Sequence, residues 1–420
     1  MSRSDHVMSA MVLGVCGVAA PASADVFTPH FPITELHSVQ GGYSGGSFAA
    51  AGVMGEQGYA NDGAFPGWET SLIASCTSMT QEFGGSIWPE SCNPHGMAQA
   101  LQALTSHIWV AELWPAANQA GALNRTVAAV QAFGSPVAVP IYGQADHWVT
   151  VTQITATSNG SGGWVVNAVR FYDGGPPGGL DSGFNNYEAG VQAFSGVVWR
   201  SIHFTVVTGL NPACDAAGCV SDPYYGQYLI VIEPPIGASP PTVTAEFPKA
   251  RGVVQGGMTE ALAQAEVWNA LAAAGVTADP AIGSPIHGGV AGPAFQVHAV
   301  FPSGAPWDYY LVPVVSPANT VLAFVQLAAD DGAFEGVRVL TTPARFAPVT
   351  RTQAEALAAR ALAPDERLAG GVLTWNPRTK TQLGRSPTSP YYEFGVVDTA
   401  GRGAGVVRVA LDHGLAERGR

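Results

Sequence analysis

Two stretches near the end of the chain repeat one another at a fixed spacing. Tyr309-Tyr310 recurs as Tyr391-Tyr392, and Val325-Gln-Leu-Ala-Ala-Asp-Asp-Gly332 recurs as Val407-Arg-Val-Ala-Leu-Asp-His-Gly414, both at an offset of 82 residues. Self-similarity of this period marks one supersecondary unit used twice. An Ala/Leu-rich helical stretch precedes each copy. The first runs from Thr259 to Ala274 and stops at Gly275; the second opens on Thr352-Gln-Ala-Glu355, which reads as a capping box, and stops at Pro364. A helix followed by strands, twice, predicts tandem α+β modules over 249–341 and 342–420. Neither contains a cluster of histidine, cysteine or paired carboxylates, so chemistry is expected elsewhere.

The segment ahead of them, 25–233, reads as a larger unit. Strands rich in β-branched and aromatic residues are expected over Val137–Ile141, His147–Thr155, Trp164–Tyr172, His203–Val207 and Tyr228–Ile232. Helices are expected earlier, around Ser47–Glu56 and Gly96–Ser106. Helices first and an antiparallel sheet later is an α+β order rather than an alternating βαβ one. Proline punctuates 234–248, which reads as a semi-rigid linker.

The first 24 residues follow the grammar of a cleavable signal peptide. Arg3 supplies positive charge, Val7 to Ala20 is apolar and small, and Ala22-Ser23-Ala24 offers an A-x-A cleavage site. The apolar run is shorter than the roughly 20 residues a membrane span needs, so the mature chain is expected outside the cytoplasm without membrane insertion. Cleavage removes Cys16 and leaves Cys76, Cys92, Cys214 and Cys219, an even set suited to an oxidising compartment. Three pairings are open; Cys76–Cys92 with Cys214–Cys219 is the simplest. The formal net charge is −13, with Lys249 and Lys380 the only lysines and the arginines scattered. Such a field disfavours nucleic acid and anionic membranes as partners. No metal-ligand spacing, phosphate loop or dinucleotide fingerprint appears, so no cofactor is expected.

Three places in the first unit combine residues suited to nucleophilic catalysis. They are Gln40-Gly-Gly-Tyr-Ser-Gly-Gly-Ser47-Phe-Ala-Ala50, the strand ending Gly143-Gln-Ala-Asp-His147-Trp148-Val149, and Val169-Arg-Phe-Tyr-Asp173-Gly-Gly-Pro176. A hydroxyl at a helix start gains from free backbone N–H groups and the helix dipole, which also hold an oxyanion. A strand histidine accepts its proton, and a carboxylate on the neighbouring strand fixes the imidazole tautomer.

In order and context these segments resemble the papain-like clan, in particular the bacteriocin-processing peptidases, over roughly 33–175. The resemblance implies Gln40 in the oxyanion hole, Ser47 in the nucleophile position, His147 as base and Asp173 as its orienting group. It departs from the family at the nucleophile, where a serine stands in place of cysteine. A thiol becomes a thiolate beside imidazolium at neutral pH, whereas a hydroxyl must lose its proton during attack. The expectation is therefore an exported, catalytically impaired or inactive peptidase relative that binds peptide or protein in its cleft. One alternative is an active hydrolase using Ser47, His147 and Asp173. Another reads Gly42-Tyr-Ser44-Gly-Gly46 as the G-x-S-x-G elbow of an α/β-hydrolase esterase with Ser44 as nucleophile. Trp148, Trp164 and Trp199 are candidate lining residues for a peptide cleft.

Overall fold

The computed structural model describes residues 24–28, 94–105, 108–135, 137–141, 147–173, 190–206, 224, 226–234, 243–301, 304–376, 387–412 and 414–419. The described chain is mixed α+β, with more residues in strands than in helices. The expected helix over Ser47–Glu56, Cys76, Cys92, Cys214 and Cys219, and the segment before Ala24 expected to be a signal peptide lie outside the described residues.

The first sheet is antiparallel. β2 (Val110–Pro115), β7 (Gln227–Ile232), β3 (Val137–Ile141), β4 (His147–Ser158), β5 (Trp164–Asp173) and β6 (Gly190–Ser195) lie side by side in that order. β1 (Asp25–Phe27) pairs with the second half of β4, Asp25 opposite Ala156. Helix α1 (Pro94–Thr105) contributes Met97 and Leu101 to the interior. Helix α2 (Gln119–Phe133) starts where the Asn118 side chain accepts the Gly121 N–H. It stops at Gly134, whose positive φ of 59° turns its N–H back to the Ala129 and Val130 carbonyls. Its Ala122, Leu123, Val127 and Val130 share one core with Val137, Val149 and Val151 of the sheet.

The strand expected over His203–Val207 is not seen among the described residues: His203 closes a helical turn running 196–203, π-helical over Trp199–His203, Phe204 makes a single bridge, and 205–206 lie outside any strand. Tertiary contacts override the β-branched run. The Gln119 amide donates to the carbonyls of Arg200 and Phe204 at 2.9 and 3.2 Å, and Phe204 stacks on Tyr228 with centroids 5.1 Å apart.

The sheet does not end at β6. β13 (Phe334–Ala344) pairs antiparallel with it, placing Gly336, Val337 and Arg338 opposite Phe194, Ala193 and Gln192. Glycine at 336 lets Phe194 in: a Cβ there would lie 2.5 Å from the phenyl ring. Beyond β13 follow β12 (Val321–Ala328), β11 (Tyr309–Val315), then β10 (Phe295–Ala299) and β9 (Val290–Ala291) along β11. One face, carrying Val191, Ala193, Val312, Val325 and Val337, packs under α3 (Glu260–Ala273) and α4 (Pro280–Ile286). Asp279 caps α4 and also binds Arg170 of β5 at 2.7 Å; its carboxylate is almost fully buried.

The opposite face, with Phe194, Tyr309, Leu311 and Phe324, shares a core with a second sheet of β14 (Glu366–Trp375), β15 (Tyr391–Asp398), β16 (Gly403–Ala410) and β17 (Ala416–Gly419). β10 belongs to both sheets, antiparallel to β11 through Phe295–Val297 and parallel to β14 through His298 and Ala299.

The repeated stretches form the hairpins β11–β12 and β15–β16 with equivalent registers. Tyr309 faces Ala328 as Tyr391 faces Ala410, and the ladder shifts at Val314/Val315 as at Val396/Val397. At the tips, the Ser316 and Asp398 side chains accept the N–H groups two and four residues on. Asn319 and Gly401 hold the left-handed position, at φ 60° and 78°. Before each hairpin, the residue preceding a helix-capping threonine is tied to the residue after the second strand: Met258 N–H to the Ala329 carbonyl, Val349 N–H to the Leu411 carbonyl. That second tether sets where α5 (Arg351–Ala359) begins. Its capping box is Thr350 with Gln353, two residues ahead of the expected Thr352 and Glu355; Glu355 pairs instead with Arg351. Of the 234–248 segment, Val243 and Phe247 are buried, and β8 (Ala245–Glu246) runs parallel to the start of β5.

Candidate active site

The residues singled out in the sequence fall into two groups. Gln40, Ser44 and Ser47 lie outside the described residues. His147 and Asp173 open β4 and close β5, which are neighbours in the sheet.

The ladder fixes how these two positions relate. Thr150 of β4 faces Tyr172 of β5, and Val151 faces Phe171. Asp173 is therefore one step beyond the Thr150–Tyr172 pair and His147 three steps before it, at the same end of the sheet. Strand alternation gives 147, 149 and 151 one face and 171 and 173 the same face. The two positions are diagonal neighbours across the β4–β5 ladder. Four strand ends meet here, since Ile141 faces His147 and Asp173 faces Gly190. The connections 142–146 and 174–189 both leave from this end.

Below the site the same face is aromatic. Phe171, two residues before Asp173, stacks with Phe194 at 5.8 Å and meets Trp199 at 5.5 Å. His203 fills the space between them, 4.0 Å from the Phe194 ring centroid. Burial pushes its imidazole down to about 3, so it stays neutral at physiological pH. A histidine so placed supports the site strands from beneath. It is not the imidazole that takes and returns a proton. Its one sequence signal is an aromatic-rich run through Trp199 to Phe204, which reads equally as strand.

The tryptophans expected to line a cleft serve the core instead. Trp199 is fully buried, and Trp164 sits at the far end of β5 from Asp173, packed edge-on against Phe27 at 4.8 Å. Only the strand position of Trp148 places it at the site end.

From its other face and its outer edge, β5 is gripped by the C-terminal half. Arg170, three residues before Asp173, donates to Thr152 Oγ1 at 3.0 Å and to Asp279 Oδ1 at 2.7 Å. β6, which faces Asp173 through Gly190, is in turn paired to β13. Among the described residues no group of three or more His, Cys, Asp or Glu is placed to hold a metal ion, and no helix is long and apolar enough to cross a membrane.

No protein-family model matches the sequence, and no curated protein matches it. Among solved structures, UfSP from C. elegans aligns with 53% of this chain and 35% of its own, at 11% identity and a TM-score of 0.26. The chain thus spans about a third of that protein, and similarity at this level carries no inference about chemistry. What the residues themselves establish is a mixed α+β framework that brings positions 147 and 173 to one end and one face of a shared sheet.

Proposed function

We propose that this protein is an exported papain-like domain with an impaired or absent peptidase activity, which holds peptide or protein segments at the end of β4 and β5. One observation carries the reading. Positions 147 and 173, a hundred residues or more from Gln40 and Ser47 in sequence, fall on one face at neighbouring strand ends, in the order that a base and its orienting carboxylate require. Serine at 47 makes the site a weak one, because the pair of thiolate and imidazolium that such a site stabilises cannot form. Export is supported by the position of β1: it begins at Asp25, so cleavage after Ala24 leaves the sheet complete. The equivalent registers, tip contacts and tethers of the two hairpins support a tandem pair of copies of one helix-and-hairpin unit, the first of them fused to the site sheet through β6 and β13.

The test is hydrolysis and binding of a mixed peptide and ester library by the mature protein beside Ser47→Ala, Ser44→Ala, His147→Ala and Ser47→Cys. The proposal expects peptide binding without turnover in the natural chain, and turnover gained in Ser47→Cys. Turnover in the natural chain lost only in Ser47→Ala makes it an active serine hydrolase. Loss only in Ser44→Ala transfers the role to the G-x-S-x-G elbow. Neither binding nor a gain in Ser47→Cys removes the papain-like reading altogether.

A further inference from the structure

A carboxyl group is buried where the two hairpins meet, far in sequence from the site residues. Glu335 stands at the irregularity of the β12–β13 ladder, between Phe334 opposite Leu327 and Gly336 opposite Gln326. Its side chain is buried and accepts the indole N–H of Trp307 at 2.7 Å. Trp307 packs on Tyr309 at 4.9 Å and edge-on against Trp375 of β14 at 5.8 Å. The Tyr309 hydroxyl donates to the carbonyl of Pro387, shortly before β15. The groups around the carboxyl thus come from both hairpins, and the aromatic cluster they form is the joint between the two sheets.

The charged and titratable neighbours do little to welcome a carboxylate. Lys249 is the nearest cation of consequence, and Asp330 and Asp331 already hold it at 2.6 and 3.1 Å. Those two aspartates add repulsion of their own. Tyr309 faces the joint beside Tyr391, and burial with Glu335 beside it holds the Tyr309 phenol well above its ordinary range. Arg338 turns to Ser389 Oγ at 3.4 Å, Arg408 lies over the Tyr391 ring and is tied to Glu393 at 2.8 Å, and Asp308 is at the surface with His298. Burial accordingly pushes the Glu335 carboxyl up to about 8.

We propose that Glu335 is a proton-operated latch on the joint between the two hairpins. Neutral, it accepts the Trp307 N–H and lets Trp307 close against Trp375. When its proton passes to solvent, the carboxylate draws water into the aromatic cluster and the joint loosens. This latch stands independently of any activity at positions 147 and 173.

The experiment is a pH titration of tryptophan emission and near-UV circular dichroism on the full chain, beside Glu335→Gln, from about pH 6 to 9.5, below the ordinary tyrosine and lysine range. The natural chain should show a red shift of emission and a loss of near-UV signal centred near pH 8. Glu335→Gln should keep the low-pH signal throughout, and Trp307→Phe, which removes the donor to the carboxylate, should move the transition to higher pH. A natural chain with no transition in this range overturns the latch, as does the same transition in Glu335→Gln. Should that variant fail to fold, the infrared carbonyl band of the natural chain decides. A protonated carboxyl band at neutral pH that vanishes by pH 9.5 supports the latch, and its absence at neutral pH refutes it.

Discussion

Arg170 and Asp279 illustrate how much a single contact carries in this molecule. Asp279 is buried, caps α4 and neutralises Arg170, while Arg170 also holds Thr152 on the neighbouring strand. Removing the carboxylate leaves a guanidinium facing the interior and a helix start without its acceptor. Asp279→Ala should therefore lose about 3 kcal/mol of stability, read as a lowered urea midpoint at unchanged slope. Glu335 obeys the opposite sign. Its folded value lies above the unfolded one, so its contribution is full below about pH 4.5 and is lost as pH rises towards 8. The thermal midpoint of the natural chain should fall relative to Glu335→Gln across that window and level off above it. The site residues and Glu335 are unequally visible in sequence. His147 and Asp173 were legible as strand ends because each bounds a run of β-branched and aromatic residues. Glu335 was not: in Phe334-Glu-Gly-Val-Arg-Val339 the two charged residues fall on opposite faces of the strand, yet both are buried, and the ladder irregularity at Glu335 leaves no mark in composition.

At the level of elements, local signals located most boundaries but could not choose between near-equivalent ones. Two S/T-x-x-E/Q patterns overlap at the start of α5, and only the long-range tether from Val349 to Leu411 selects the one at Thr350. Thr350→Ala should cost about 1 kcal/mol. Thr352→Ala, an exposed change inside the first turn, should stay within about 0.5 kcal/mol. Denaturant titration of both variants separates the two registers. The strands expected over 137–141, 147–155, 164–172 and 228–232 from β-branched and aromatic enrichment form over 137–141, 147–158, 164–173 and 227–232, whereas β2 and β6 were not singled out. β6 is covered on both faces, so Gly190-Val-Gln-Ala-Phe-Ser195 has no solvent side to set an alternation. The helical turn over 196–203 depends on Gln119, some eighty residues earlier, and no local propensity reports it.

For the whole molecule, what the sequence could not disclose is that one sheet runs through both halves. The stretches that recur at an offset of 82 residues lie at the start of the first strand and the end of the second strand of the hairpins β11–β12 and β15–β16. The partner of the outer edge of β13 was not legible, since strand pairing between β6 and β13 rests on backbone groups that every residue carries. Unfolding of the described chain should accordingly be a single transition in which tryptophan emission and far-UV circular dichroism coincide. Gly336→Ala, which drives a methyl into Phe194, should lower its midpoint by about 1–3 kcal/mol in stability without splitting it. The same pairing has a consequence for the newly made chain. β6 ends at Ser195 and its partner begins at Phe334, so the strand facing Asp173 keeps an open edge until well over a hundred further residues have been synthesised. Pairing at so long a separation is slow to form. The nascent first half thus waits unfinished, and the completion of its sheet is timed by the arrival of β13.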